Sequence, residues 1–173
     1  MGIQLCMDDR VGVLFVCMGN ICRSPMAESV FRHLADEAGV ADRLMIDSAG
    51  THSYHLGHRP HPETQRELRA HDIEVGDGVS RLVTDEDFER FHYILAMDRD
   101  NLADLTEHAQ RCAGGDAIPE DVELRLLLDH APVDEGEVPD PYYEGGYDHV
   151  YGLVHAGCTG LLAHICREES LSD

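Results

Sequence analysis

Apolar positions along this chain switch repeatedly between two rhythms. The run VGVLFVC at residues 11–17 is short, continuous and β-branched, which predicts a strand buried on both faces. Gly19 and Asn20 follow it with loop chemistry. Ser24 and Pro25 then predict a helix start, with Ser24 as the cap. Met26, Val30, Phe31 and Leu34 recur at helical spacing, and Gly39 supplies a stop. The alternation continues with a strand at 44–50, a His-, Gly- and Pro-rich loop at 52–62 and a helix at 63–71. A short helix begins at 84–87 with acidic residues at its positive end. A strand at 92–98, a helix at 99–110 and a strand at 123–128 come next. A Pro-, Gly- and acid-rich loop at 129–146 leads into a long final helix at 147–166. Strands alternating with helices predict an α/β fold, its mostly parallel sheet covered on both faces. Ligands in such sheets bind beyond the carboxyl ends of the strands, where residues 17–24 lie.

A length of 173 residues suits one domain, expected over 11–168, with an N-terminal extension at 1–10 and a tail at 169–173. No apolar run approaches the roughly 18–20 residues that a membrane span needs. The first ten residues lack the basic start and apolar middle of a signal peptide, so a cytoplasmic protein is expected. Charge changes the picture most. Thirteen basic residues, every one an Arg, stand against 34 acidic ones, for a net charge of −21. That field argues against nucleic acid and against docking on an anionic membrane surface. It predicts a solvated acidic surface or, more sharply, adaptation to high salt. Cysteines stand at 6, 17, 22, 112, 158 and 166, with no C-x2-C pair to suggest a zinc site. Reduced thiols are expected. Cys158 and Cys166 read as core residues, Cys112 as a loop thiol and Cys6 as part of the extension.

The chemistry concentrates between Cys17 and Ser24. Cys17 ends a buried strand, and Arg23 stands six positions later at a helix entrance. A loop that short can curl its N–H groups inward, and such a nest at a helix N-terminus binds phosphate. Gly19 is expected to supply the unusual backbone angles of the curl. Arg23 can grip two phosphate oxygens with its planar fork. The helix dipole and the guanidinium favour a thiolate at Cys17, and Ser24 can donate to it. A thiolate at the bottom of a phosphate cradle can attack phosphorus, giving a cysteinyl-phosphate that water later hydrolyses.

The run V-L-F-V-C-M-G-N-I-C-R-S-P-M-A-E resembles the signature of the low-molecular-weight protein tyrosine phosphatases. The likeness extends over about residues 11–166, with D-S-A-G-T at 47–51, E-D-F at 86–88, Y-I-L-A-M-D at 93–98, N-L at 101–102 and D-P-Y-Y at 140–143 in family order. It implies a four-stranded parallel sheet with helices on both faces. It also implies a phosphate loop of Met18, Gly19, Asn20, Ile21, Cys22, Arg23 and Ser24 between the first strand and first helix. By the same resemblance Asp140 is the general acid, then the base that activates water. Tyr142, Tyr143 and Tyr54 shape the substrate rim, Asn20 braces the loop, and Cys22 can capture an oxidised Cys17 as a disulfide. The substrate is a phosphotyrosine protein, phosphate is the product or an inhibitor, and no cofactor or metal is required. One departure stands out. Where many members carry H-x-A-R, this chain reads Gly78-Val79-Ser80-Arg81, so the histidine that holds the bracing Asn is missing unless His71 or another histidine replaces it.

Three other readings share these residues. Arsenate reduction starts from the same cradle but needs relay cysteines, and residues 82–100 contain none. Protein arginine phosphatases resemble this chain closely but typically carry Thr where Ile21 stands. A non-catalytic phosphotyrosine-binding module would not need Asp140.

Overall fold

The computed structural model describes residues 9–115 and 117–171. The expected extension at 1–10 therefore lies mostly outside the described residues, as do Cys6 and the last two residues of the tail. Strand β1 (Val11–Cys17) lies between β2 (Leu44–Gly50) and β3 (Tyr93–Ala96), and β4 (Glu123–Leu126) forms the far edge, giving the parallel order β2-β1-β3-β4. The ladder carries Cys17 to the end of its strand opposite Gly50.

Alternating side chains of β1 feed two separate cores. Val13, Phe15 and Cys17 face helix α1 (Arg23–Glu37) and helix α6 (Tyr147–Glu168), packing with Met26, Phe31, Val154 and Leu161. Leu14 and Val16 face the opposite way, towards helix α4 (Arg99–Ala113), with Phe88, Leu105 and Ala109. Helix α2 (Pro62–Ala70) packs beside α1 and α6. Two four-residue helices, α3 (Asp87–Arg90) and α5 (Pro141–Glu144), complete the set.

Several boundaries differ from the sequence reading. Helix α1 begins at Arg23 with Cys22 in the cap position, because the Ser24 hydroxyl is turned into the site instead of capping the helix. Asp87 starts α3 later than expected, its carboxylate already accepting the Thr84 N–H at 2.8 Å. Strand β3 is shorter than 92–98. Strand β4 stops at Leu126, where Leu127–His130 tightens into a 3-10 turn. Helix α4 runs on to Ala113 and ends at Gly114 in the left-handed region (φ 73°), so Cys112 is an exposed helical thiol rather than a loop thiol. Leu171 of the tail is buried in the α1/α6 core.

Helix α6 approaches that 3-10 turn unusually closely. A Cβ on Gly157 would lie 2.7 Å from Leu127 Cγ, and one on Gly160 would run into the His130 carbonyl. The two glycines thereby fix the distance between the two ends of the 131–146 loop.

Candidate active site

The site grows from the end of β1. Cys17 is buried, its Sγ accepting the Asn20 N–H at 3.3 Å and lying 3.0 Å from the Ser24 hydroxyl. Asn20 itself takes the left-handed conformation (φ 55°), not Gly19 as expected. The glycine is needed for space instead: a Cβ there would stand 2.8 Å from His55 Cδ2. With the chain curled this way, the N–H groups of Gly19, Ile21, Cys22 and Arg23 have no acceptor among the described residues. Four unpaired donors beside a sulfur and an Arg suit an anion better than any neutral group.

The side chain of Asn20 is tied at both ends. Its Nδ2 donates to Ser24 Oγ at 2.8 Å and Ser48 Oγ at 3.0 Å, and its Oδ1 accepts the Arg81 N–H at 3.1 Å. Ser48 in turn donates its hydroxyl hydrogen bond to Glu28 Oε1 at 2.8 Å. Because Ser24 Oγ accepts from Asn20, its hydroxyl hydrogen is directed to Cys17 or to the Ala49 carbonyl. Ser80, buried, donates to the Gly19 carbonyl at 2.8 Å. The stretch without the family histidine therefore still braces the loop, through Ser80 and the Arg81 backbone. His71 plays no part; it stacks on Tyr151 at 3.7 Å. The Arg81 guanidinium anchors the stretch between Asp47 and the buried Asp87. Burial works against that charge, but Asp87 and then Asp47 outweigh it and raise its pKa.

Arg23 is held by three acceptors. Its Nη1 donates to Asp98 Oδ2 at 2.6 Å and to the Val138 carbonyl at 3.0 Å, and its Nη2 donates to Asp140 Oδ2 at 3.3 Å. These bonds use three of the five guanidinium N–H groups and leave two, the number a bidentate grip on phosphate requires. Burial alone would lower the Arg23 pKa; the facing Cys17 sulfur, Asp98 and Asp140 outweigh it and raise it. Asp98 was not singled out from the sequence. It ends the β3 connection, caps α4 through Oδ1 on the Asn101 N–H at 2.8 Å, and orients Arg23 with its other oxygen. An Asp between an apolar run and a helix is a readable cap signal; its second bond is legible only in three dimensions.

Asp140 caps α5, its Oδ1 accepting the Tyr142 N–H at 3.1 Å. It shares a pocket with Cys17, Ile21, Arg23, Tyr142 and Tyr143. The structure thus brings together residues 117 positions apart, and both rim tyrosines are well exposed. Tyr54 departs from the expectation. It is 69 % exposed, stacks on His52 at 5.5 Å, and does not line this pocket. His55 lines it instead, tilted against the Tyr142 ring at 5.4 Å.

Cys22 turns its Sγ to the Tyr147 hydroxyl at 3.4 Å, which in turn lies 3.3 Å from His61 Nδ1. Burial pushes the Cys22 thiol up to about 11, with the Cys17 and Asp140 charges adding to the rise and Tyr147 opposing it.

A model of the low molecular weight phosphotyrosine protein phosphatase family matches residues 12–171. The chain is 41 % identical over 162 residues to the low molecular weight protein-tyrosine-phosphatase YfkJ of Bacillus subtilis, covering 93 % of this chain and 99 % of that one. The crystal structure of YfkJ superposes with a TM-score of 0.84 over 92 % of this chain and 96 % of that one. A protein tyrosine phosphatase from Entamoeba histolytica, crystallised with Hepes in its active site, is 34 % identical with a TM-score of 0.78, covering 92 % and 98 %. DARP, a Drosophila arginine phosphatase, is 33 % identical with a TM-score of 0.79, covering 88 % and 96 %.

Proposed function

The chain belongs to the low molecular weight phosphotyrosine protein phosphatase family, and from that premise we propose that it hydrolyses phosphotyrosine in proteins with Cys17 as nucleophile, Arg23 as phosphate clamp and Asp140 as proton donor. The observation that carries this reading is the Cys17 sulfur set among four unpaired loop N–H groups, with Arg23 linked to Asp140 beside it.

In the first step Cys17 Sγ, as thiolate, attacks phosphorus and the bond from phosphorus to the tyrosyl oxygen breaks. Phosphate oxygens occupy the loop N–H groups and the two remaining Arg23 donors, which hold the charge that spreads over them in the transition state. The Arg23 N–H on Asp140 Oδ2 is the longest of its three bonds, so a bound phosphate competes for it readily. Asp140 then gives its proton to the leaving oxygen. In the second step Asp140 takes a proton from water, the hydroxide oxygen attacks phosphorus, the S–P bond breaks, and thiolate and inorganic phosphate result. Ser24 and the Asn20 N–H stabilise the sulfur as it leaves. Ile21, Tyr142 and Tyr143 give the pocket an apolar and aromatic wall suited to a phenyl ring. Cys22 serves as the reserve thiol that traps an oxidised Cys17. The reduced thiols and the absence of any membrane-crossing helix among the described residues fit a cytoplasmic location.

Likeness to an arginine phosphatase makes phosphoarginine the competing substrate. A panel of phosphotyrosine and phosphoarginine peptides, phosphoserine and arsenate separates the readings. Wild type should release phosphate fastest from phosphotyrosine, and Cys17→Ser should bind phosphate without turnover. Faster release from phosphoarginine would overturn the substrate assignment; turnover by Cys17→Ser would overturn the nucleophile.

A further inference from the structure

Away from the phosphate loop, one cluster gathers three different kinds of metal ligand. His108 and Cys112 stand four residues apart on α4 and so share one face, a turn apart. Asp85 meets them from the turn before α3. His108 Nε2 lies 2.7 Å from Asp85 Oδ1, and Cys112 Sγ lies 3.5 Å from the same oxygen. All three ligand atoms fall within 4.8 Å of one another.

We propose that Asp85, His108 and Cys112 form a Zn(II) site, with water in the fourth position. Tetrahedral zinc with these donors spaces neighbouring ligand atoms about 3.3–3.6 Å apart. The sulfur–oxygen pair already meets that spacing. The nitrogen–oxygen pair must open by about 0.6 Å to reach it, and the Asp85 side chain, 86 % exposed, is free to move. A mixed sulfur, nitrogen and oxygen set suits zinc and excludes calcium and magnesium, which take oxygen ligands. On binding, the Cys112 thiol gives its proton to solvent, and the His108 hydrogen that Asp85 accepts moves from Nε2 to Nδ1 through solvent, which frees the Nε2 lone pair for the metal.

The site lies at the opposite end of α4 from Asp98, about 20 Å along the helix at 1.5 Å per residue. An ion there would clamp α4 to the segment that carries Asp87, stabilising the fold without touching Cys17.

Co(II), a spectroscopic substitute for zinc, tests the proposal in Cys17→Ser protein, which removes the competing active-site sulfur. One equivalent should produce a near-ultraviolet thiolate-to-cobalt band that Zn(II) abolishes. Adding Cys112→Ser should remove the band, and His108→Ala should weaken binding at least tenfold. These side chains are exposed or half-buried, so the variants should melt like their parent without metal. In the otherwise wild-type protein, Cys112→Ser should leave turnover unchanged and remove the rise in Tm that Zn(II) gives. No thiolate band, or a band that survives Cys112→Ser, would overturn the site.

Discussion

Asp98→Asn separates the two jobs of one side chain. Asn keeps an oxygen for the Asn101 N–H, now 2.8 Å from Asp98 Oδ1, so the α4 cap survives. What is lost is the negative charge 2.6 Å from Arg23 Nη1, on a guanidinium only 3 % exposed. With the Asn oxygen kept on Asn101, the amide NH2 faces Arg23 and the bond to Nη1 is lost outright; a hydrogen bond to a charged partner contributes about 1.5–3 kcal/mol. The carboxylate is itself partly open to water, so the expected destabilisation lies at the lower end of that range, about 1.5–2 kcal/mol. Asp98→Ala also removes the cap and should cost about 1 kcal/mol more. The kinetic effect should be larger. Without Asp98, Arg23 keeps only the Val138 carbonyl and the longer bond to Asp140, and a shift of about 1 Å in a clamp can cost on the order of 100-fold in rate. Urea unfolding of both variants, with kcat/KM on an aryl phosphate, tests both parts. Wild-type kcat/KM in Asp98→Asn would refute the claim that Asp98 orients Arg23. Equal stability of the Asn and Ala variants would refute the cap.

Asp140→Ala should slow substrates with basic leaving groups about 100-fold or more and those with acidic leaving groups far less, because only the former need the proton; equal losses across a series of aryl phosphates would point to another acid. Cys22, pushed up to about 11 by burial, should be almost entirely thiol near neutrality, and its thiolate fraction should grow as the pH rises towards that value. Peroxide-treated wild type should therefore regain more activity with a reductant, after oxidation at higher pH, than Cys22→Ser, which should stay inactive; equal recovery would remove the reserve-thiol role. The net charge of −21 should make both stability and kcat/KM for acidic phosphopeptides rise from low to moderate salt, read by melting and steady-state kinetics; flat profiles would leave the composition without an electrostatic consequence.

Much of the architecture was legible because the chain states it locally. The buried run 11–17 could be little else than a central strand, and its bounds match β1 residue for residue. The nucleophile and the Arg are six positions apart, so one short loop joins them whatever the rest of the fold does. Reading failed where a residue's role depends on partners distant in sequence. Ser24 resembles a cap but serves Cys17 and Asn20. Ser48 and Ser80 carry no signal of their own, yet they brace the loop where the family histidine is missing. Tyr54 and His55 are neighbours in a loop, and which one faces the pocket is decided by the turn rather than by residue type. His108 and Cys112 were separated by a helix end set three residues too early, which hid that they share a face.

The close contact of Gly157 and Gly160 with the 3-10 turn bears on how variable this protein can be. The loop that delivers Asp140 is an arch with both feet on one foundation: one foot at Leu127–His130, the other at the start of α6. A third support lies at Val138, whose N–H bonds to Met97 and whose carbonyl bonds to Arg23. Within the span between the first foot and Val138, the exposed residues Asp134 and Glu135 can therefore change without moving the acid. The two glycines touch no substrate, but a methyl group on either would tilt the arch. A mutational library of this chain should thus tolerate diversity at 134–135 and be nearly silent at 157 and 160, a pattern that a map of active-site distances alone would not foresee.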